Sequence, residues 1–98
     1  MQIIENWTDI TGEIESCQQS GIQEGFLELA VKIKNVRDVK GFSNLLKDAT
    51  GQTITVQVPE EAADKDDCKP GKQIACRVRR GGPNRIYAHP EHVNALPK

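Results

Sequence analysis

The sequence predicts an all-β domain in which five short strands close on themselves, with a short helix between the third and fourth. Three observations predict it. Apolar residues recur at every second position in several separate stretches, glycine and proline punctuate the gaps, and there is no internal repeat, coiled-coil heptad or low-complexity segment. Five short strands cannot each cover an apolar face unless the sheet curls on itself, so one closed β domain is the economical architecture.

The first strand is read from Ile10, Gly12, Ile14 and Ser16, which alternate with Thr11, Glu13 and Glu15. Gly12 stands where a strand bending round a barrel corner would give up its side chain. Gln18-Gln19-Ser20-Gly21 reads as the turn that follows. From Leu27 to Lys34 the pattern is clearest: Leu27, Leu29, Val31 and Ile33 point one way, and Glu28, Ala30, Lys32 and Lys34 the other. Leu45 to Gln52 reads as a short strand running into a glycine-containing turn, and the β-branched Thr53-Ile54-Thr55-Val56-Gln57-Val58 makes the third main strand, stopped by Pro59. Pro59 to Asp67, with Glu60 and Glu61 in its first turn, has the composition of a short helix that ends by Lys69-Pro70-Gly71. Gln73 to Arg79 alternates with Ile74, Cys76 and Val78 inward. Gly81-Gly82-Pro83-Asn84 makes a loop, and Arg85 to His89 begins a last strand before Pro90.

Size and composition bound the rest. A chain of 98 residues with 37% hydrophobic content buries roughly 65% of its unfolded surface, enough for one core. The expectation is a single domain over residues 1–98, with the barrel at about 7–93 and short flexible ends. No run approaches a membrane span of about 18 apolar residues, and the first residues have neither the basic head nor the apolar stretch of a signal peptide. Cys17, Cys68 and Cys76 are odd in number and lack framework spacing, which fits a reducing, cytoplasmic setting.

A net charge of -1 conceals blocks. Residues 1–28 carry -6, 29–48 carry +3, 59–68 carry -4 and 69–85 carry +6. An anionic partner within a Debye length of about 8 Å responds to the local field rather than to the total. The alternative is a mixed solvated surface, and the two readings part on whether the basic stretches meet in space.

Ile10-Thr11-Gly12-Glu13-Ile14, the hairpin segment Leu45-Leu46-Lys47-Asp48-Ala49-Thr50-Gly51-Gln52-Thr53-Ile54, and Lys69-Pro70-Gly71-Lys72-Gln73-Ile74 together resemble the OB-fold, the oligonucleotide/oligosaccharide-binding fold, over nearly the whole chain. The hairpin segment is similar to the leucine, aspartate, threonine-glycine, isoleucine pattern of replication-protein-A-like OB domains. The resemblance implies a Greek-key barrel and a ligand crossing strands two and three, flanked by the loops joining strands one to two and four to five. OB domains that bind single strands place aromatics on that sheet face, whereas the outward positions of the third strand here are Thr53, Thr55 and Gln57.

On this reading Lys32 and Lys34 project outward from strand two, Arg37 and Lys40 continue the basic character, Arg77 and Arg79 project from strand four, and Arg80 and Arg85 bracket the glycine loop. The two basic blocks then border one cleft. Arginine grips a phosphate through two hydrogen bonds and also stacks on a base. Phe42 and Tyr87 are the stacking candidates, Phe42 having barrel closure as its alternative role. The implied ligand is single-stranded DNA or RNA, bound without catalysis.

Other chemistry is disfavoured. Cys68, Cys76, His89 and His92 miss zinc-finger spacing, Cys76 has inward parity, and no phosphate loop, nucleophile elbow or H-E-x-x-H occurs. No cofactor or metal is expected, and the acids of residues 60–67 read as a solvated face rather than a catalytic pair. The rival expectation is a protein-interaction module, using the acidic helix face or an edge strand, with Trp7 as interface anchor or as barrel plug. Oligosaccharide binding is a third reading, disfavoured by the scarcity of aromatic platforms.

Overall fold

Period-two alternation becomes strand wherever it was read. The computed structural model describes residues 6–22, 24–44, 46–62, 68–82 and 85–96. Its strands are β1 (Thr8–Gln19), β2 (Phe26–Asp38), β3 (Thr53–Pro59), β4 (Gln73–Gly82) and β5 (Arg85–Ala95). Ile10 and Ile14 of β1, Leu29, Val31 and Ile33 of β2, Val56 and Val58 of β3, Ile74, Cys76 and Val78 of β4, and Ile86 and Ala88 of β5 share one buried cluster. Each fully buried branched side chain contributes about 1.5–3 kcal/mol. Of the ends expected to be flexible, residues 1–5 and 97–98 lie outside the described residues, as does the loop tip Pro83-Asn84, whereas Asn6 is tied to Arg80 and β5 runs on to Ala95.

Hydrogen bonding joins the strands in the order β1-β2-β3-β5-β4 and closes back from β4 to β1. All neighbours are antiparallel except β3 and β5, which run parallel and pair only through Val56↔Ile86 and Gln57↔Tyr87. Gly12 sits at a register shift in the β1–β2 pairing. A Cβ there would lie 2.4 Å from the Lys32 carbonyl oxygen and 2.7 Å from Val31 Cγ1. The bend needs glycine because the two backbones approach too closely for any side chain.

Four expectations are corrected. The Leu45–Gln52 segment, read as beginning in a strand, is a succession of turns over its described residues: the Ala49 amide donates to Leu46 O, and the Gln52 amide to Ala49 O, both at 2.9 Å. Leu46 and Ala49 are both buried. Residues three apart would face opposite ways on a strand, and the turn is what lets both reach the core.

The short helix is only a 3₁₀ turn, Glu60–Ala62. Pro59 still belongs to β3, opposite Phe26, and the Glu60 amide donates to Gly25 O at 3.0 Å, so the chain stays tied to the β1–β2 connection where a helix was to begin. The remainder of the expected helix, residues 63–67, lies outside the described residues.

Gly81 and Gly82, read as loop, are the last residues of β4, with Gly82 opposite Arg85. The last strand does not stop at Pro90. Val78 faces Ala88 and Cys76 faces Val93, so four residues of β5 bulge against Arg77 alone. Pro90 lies within that bulge, where no ladder donor is required of it.

The segment before β1 is held by a side chain. Asn6 Nδ2 donates to Arg80 O at 3.0 Å and the Arg80 amide donates to Asn6 Oδ1 at 2.8 Å, while the Trp7 amide donates to Ser43 O at 3.2 Å. The buried Thr8 hydroxyl donates to Asn44 Oδ1, which also accepts from the Leu46 amide. Among the described residues no helix is long and apolar enough to cross a membrane.

Candidate functional site

Outward residues on neighbouring strands form several clefts, and two of them adjoin through His89 and His92. The first lies across β3, β4 and β5 and is lined by Trp7, Phe26, Pro59, Arg79, Tyr87, Ala88, His89 and Pro90, with a volume of about 470 Å³. Three of the chain's four aromatic residues stand in it. Asn6 places Trp7 beside β4, where the guanidinium carbon of Arg79 is 6.0 Å from the centre of the indole ring, at the outer reach of a cation–π contact. Trp7 also meets the His89 ring, with centroids 5.2 Å apart, and His89 meets His92 edge-on at 4.8 Å.

Tyr87 is the cross-strand partner of both Arg79 and Gln57. A Cβ on Gly81 would lie 3.1 Å from Tyr87 Cε2, so the phenol ring rests against bare backbone there. Phe26 on β2 and Tyr87 on β5 flank β3, and their rings meet edge-to-face with centroids 6.2 Å apart. They cover Gln57, which is outward by parity yet only 2% exposed. The third strand thus lacks aromatics of its own, as its sequence says, and its neighbours supply them.

Gln57 Nε2 donates to Glu28 Oε1 at 3.1 Å, and Gln18 Nε2 donates to Glu28 Oε2 at 2.8 Å. These hydrogen bonds, Gln18 first and Gln57 next, hold the Glu28 carboxyl below its ordinary value. Gln57 Oε1 is buried without a hydrogen-bond partner among the described residues. Such an orphaned acceptor costs about 1–3 kcal/mol.

The second cleft, about 230 Å³, lies on the outer face of β1 and takes in Asp9, Thr11, Asn35, Arg37, Arg77, His92 and Asn94. In register Asp9 stands between Arg37 of β2 and Arg77 of β4. Asp9 pairs with Arg77, 2.8 Å from Oδ1 to Nε. The edge-on contact of His92 with His89 joins this cleft to the aromatic one.

The sequence-predicted residues therefore divide. Arg79 and Tyr87 stand together in the aromatic cleft, and Arg37 and Arg77 share the second. Lys32 and Lys34 are exposed on β2, Lys32 opposite Glu13 and Thr53, and β1 separates them from β4. Lys40 and Phe42 are exposed in the turn after β2, Arg80 lines a further cleft of about 430 Å³ with Asn44 and Lys47, and Arg85 is exposed at the start of β5. The basic blocks meet at two places, Arg37 with Arg77, where the Asp9 carboxylate stands between them, and Lys47 with Arg80.

Phe26 and His89 were missed as site residues, and Trp7 was read only as a protein-interface anchor or a barrel plug. Phe26 has the same outward parity as Glu28 and Lys32, a signal that could have found it. Of the rival docking surfaces, the acidic helix face is a 3₁₀ turn with Glu60 and Glu61 exposed, and every strand is paired on both sides over part of its length. Cys68 and Cys76 lie in the core while His89 and His92 line the outer clefts, so the four do not converge. Comparison of the chain with protein-family models, with curated proteins and with solved structures gives no match.

Proposed function

We propose that the chain is a non-catalytic module that binds single-stranded DNA or RNA, bases stacking in the aromatic cleft and phosphates held by Arg79 and the neighbouring cations. The observation that carries this reading is the convergence of Trp7, Phe26 and Tyr87 with Arg79 on one open face, in a chain with only four aromatics. Aromatic platforms beside a basic groove take any base by its π-face, about 1–3 kcal/mol for each stacked base. The strand order β1-β2-β3-β5-β4, with its crossover from β3 to β5, supports an OB-fold for this module. Its platform stands beside the expected β2–β3 face rather than on it.

The test is direct because Trp7 is the sole tryptophan. Titration with short DNA and RNA oligonucleotides at low salt quenches its fluorescence as a base stacks. Four phosphate contacts would give a slope of log affinity on log salt of about -2.8. No binding of either nucleic acid at low salt overturns the reading.

A further inference from the structure

Gln57 holds the buried side-chain acceptor that lacks a partner among the described residues. Its amide has a defined sense: Nε2 faces the Glu28 carboxylate, and turning it over would set oxygen against oxygen. With the donor end committed to β2, the acceptor end is left for the β5 side, where Tyr87 is the register partner. Glu28 already accepts a hydrogen bond from Gln18, so its carboxylate is not left without a side-chain donor if Gln57 is replaced. The cover over Gln57 is the edge contact of Phe26 and Tyr87, two side chains that also line the aromatic cleft. Parting of these rings round a flat ligand would uncover Oε1 beneath its edge.

Resting on the reading of that cleft as a base-stacking site, we propose that Gln57 is a specificity-determining residue, accepting a hydrogen bond from the exocyclic amine of a stacked base. Cytosine presents N4–H₂ and adenine N6–H₂ as donors, whereas thymine and uracil present O4, an acceptor that would meet Oε1 oxygen to oxygen. Amino bases are favoured both by the bond made and by the repulsion avoided.

The experiment compares three labelled oligomers of about eight nucleotides, by fluorescence polarisation at low salt: oligo(dC), oligo(dT), and oligo(dC) whose bases lack the 4-amino group. Wild type binds oligo(dC) about five- to tenfold more tightly than oligo(dT), and removal of the amino group abolishes the preference. Gln57→Met, which keeps length but has no acceptor, brings oligo(dC) to the level of oligo(dT). Should that variant not fold, the amine-free oligomer decides the matter on wild-type protein. Equal affinity for all three oligomers, or a preference that survives loss of the amine, overturns the role of Gln57 and leaves the stacking site standing. No binding of any of them overturns both.

Discussion

Asp9 grips Arg77 at two points, Oδ1 to Nε at 2.8 Å and Oδ2 to Nη2 at 3.3 Å, with both side chains about a third or more exposed. The pair spans β1 and β4 and holds a cation that would otherwise face solvent beside Arg37. An exposed pair of this kind contributes about 0.2–1 kcal/mol to stability. Asp9→Asn therefore changes the urea midpoint little. It frees the Arg77 fork and removes a negative charge from the cleft, so oligonucleotide affinity rises a few-fold and the salt slope steepens by about 0.7, one added single-strand phosphate contact. Unchanged affinity and slope would show that Arg77 lies off the path of the ligand.

Trp7 and Arg79 stand together in the aromatic cleft. Trp7→Ala lowers affinity by about 1–3 kcal/mol, the worth of one stacked base. Arg79→Glu weakens binding further and flattens the salt dependence. Circular dichroism separates these losses from unfolding, and an unaltered titration of either folded variant would remove that side chain from the site.

Gly12 is irreplaceable for packing reasons alone. In Gly12→Ala the added methyl meets backbone, the Lys32 carbonyl, before it meets anything that can swing aside. Overpacking of this kind costs about 1–3 kcal/mol. Urea unfolding of the variant is expected at the upper end of that range, with the slope of the transition unchanged.

Glu28 links the fold to pH. Because its carboxyl is held below the ordinary value of 4.5 in the folded state, its contribution is present above that pH and is lost as pH falls below 4.5 through the lowered value. Glu28→Gln removes this part of the acid sensitivity. Thermal melting of both proteins between neutral pH and mild acid measures it, and parallel curves would show that the hydrogen bonds from Gln18 and Gln57 do not favour the charged form.

Cys76 is inert while the sheet is closed. Burial first, and then the charges of Asp9 and Cys68, push its thiol up to about 12 from 9.0. At pH 8 an alkylating reagent leaves Cys76 unmodified until denaturant is added. The stability associated with this thiol is fully present below pH 9 and is lost as pH rises from there towards 12, since the unfolded thiol ionises first. Rapid native modification of Cys76 would contradict its place in the core.

The strands were legible because period two is local. Leu27 to Ile33, Ile54 to Val58 and Ile74 to Val78 declare their inner faces by counting, and their packing follows. The helix and the Leu45 strand were misjudged because tertiary ties, Glu60 to Gly25 and Gly51 to Ile33, outweigh local composition. Tyr87 was legible as outward for the same reason as the strands. The cleft was not, because residues 7, 26, 59, 79 and 87 become neighbours only through the β3–β5 closure and the grip of Asn6 on Arg80. Neither the register of that closure nor a side chain standing in for a strand leaves a mark in residue spacing.

The ring of strands has one weak link. Eleven residue pairs join β1 to β2, but two join β3 to β5. Breathing of the sheet starts at that joint, and amides of Gln57 and Tyr87 should exchange ahead of those in the middle of β1 and β2. Phe26 and Tyr87 stand on opposite sides of the same joint, so a ligand wedged between them bridges it from outside. Occupancy would then read out as stiffness: a strand bound across the joint would slow backbone exchange at Gln57 and Tyr87, and a mutation that loosens the joint would weaken binding.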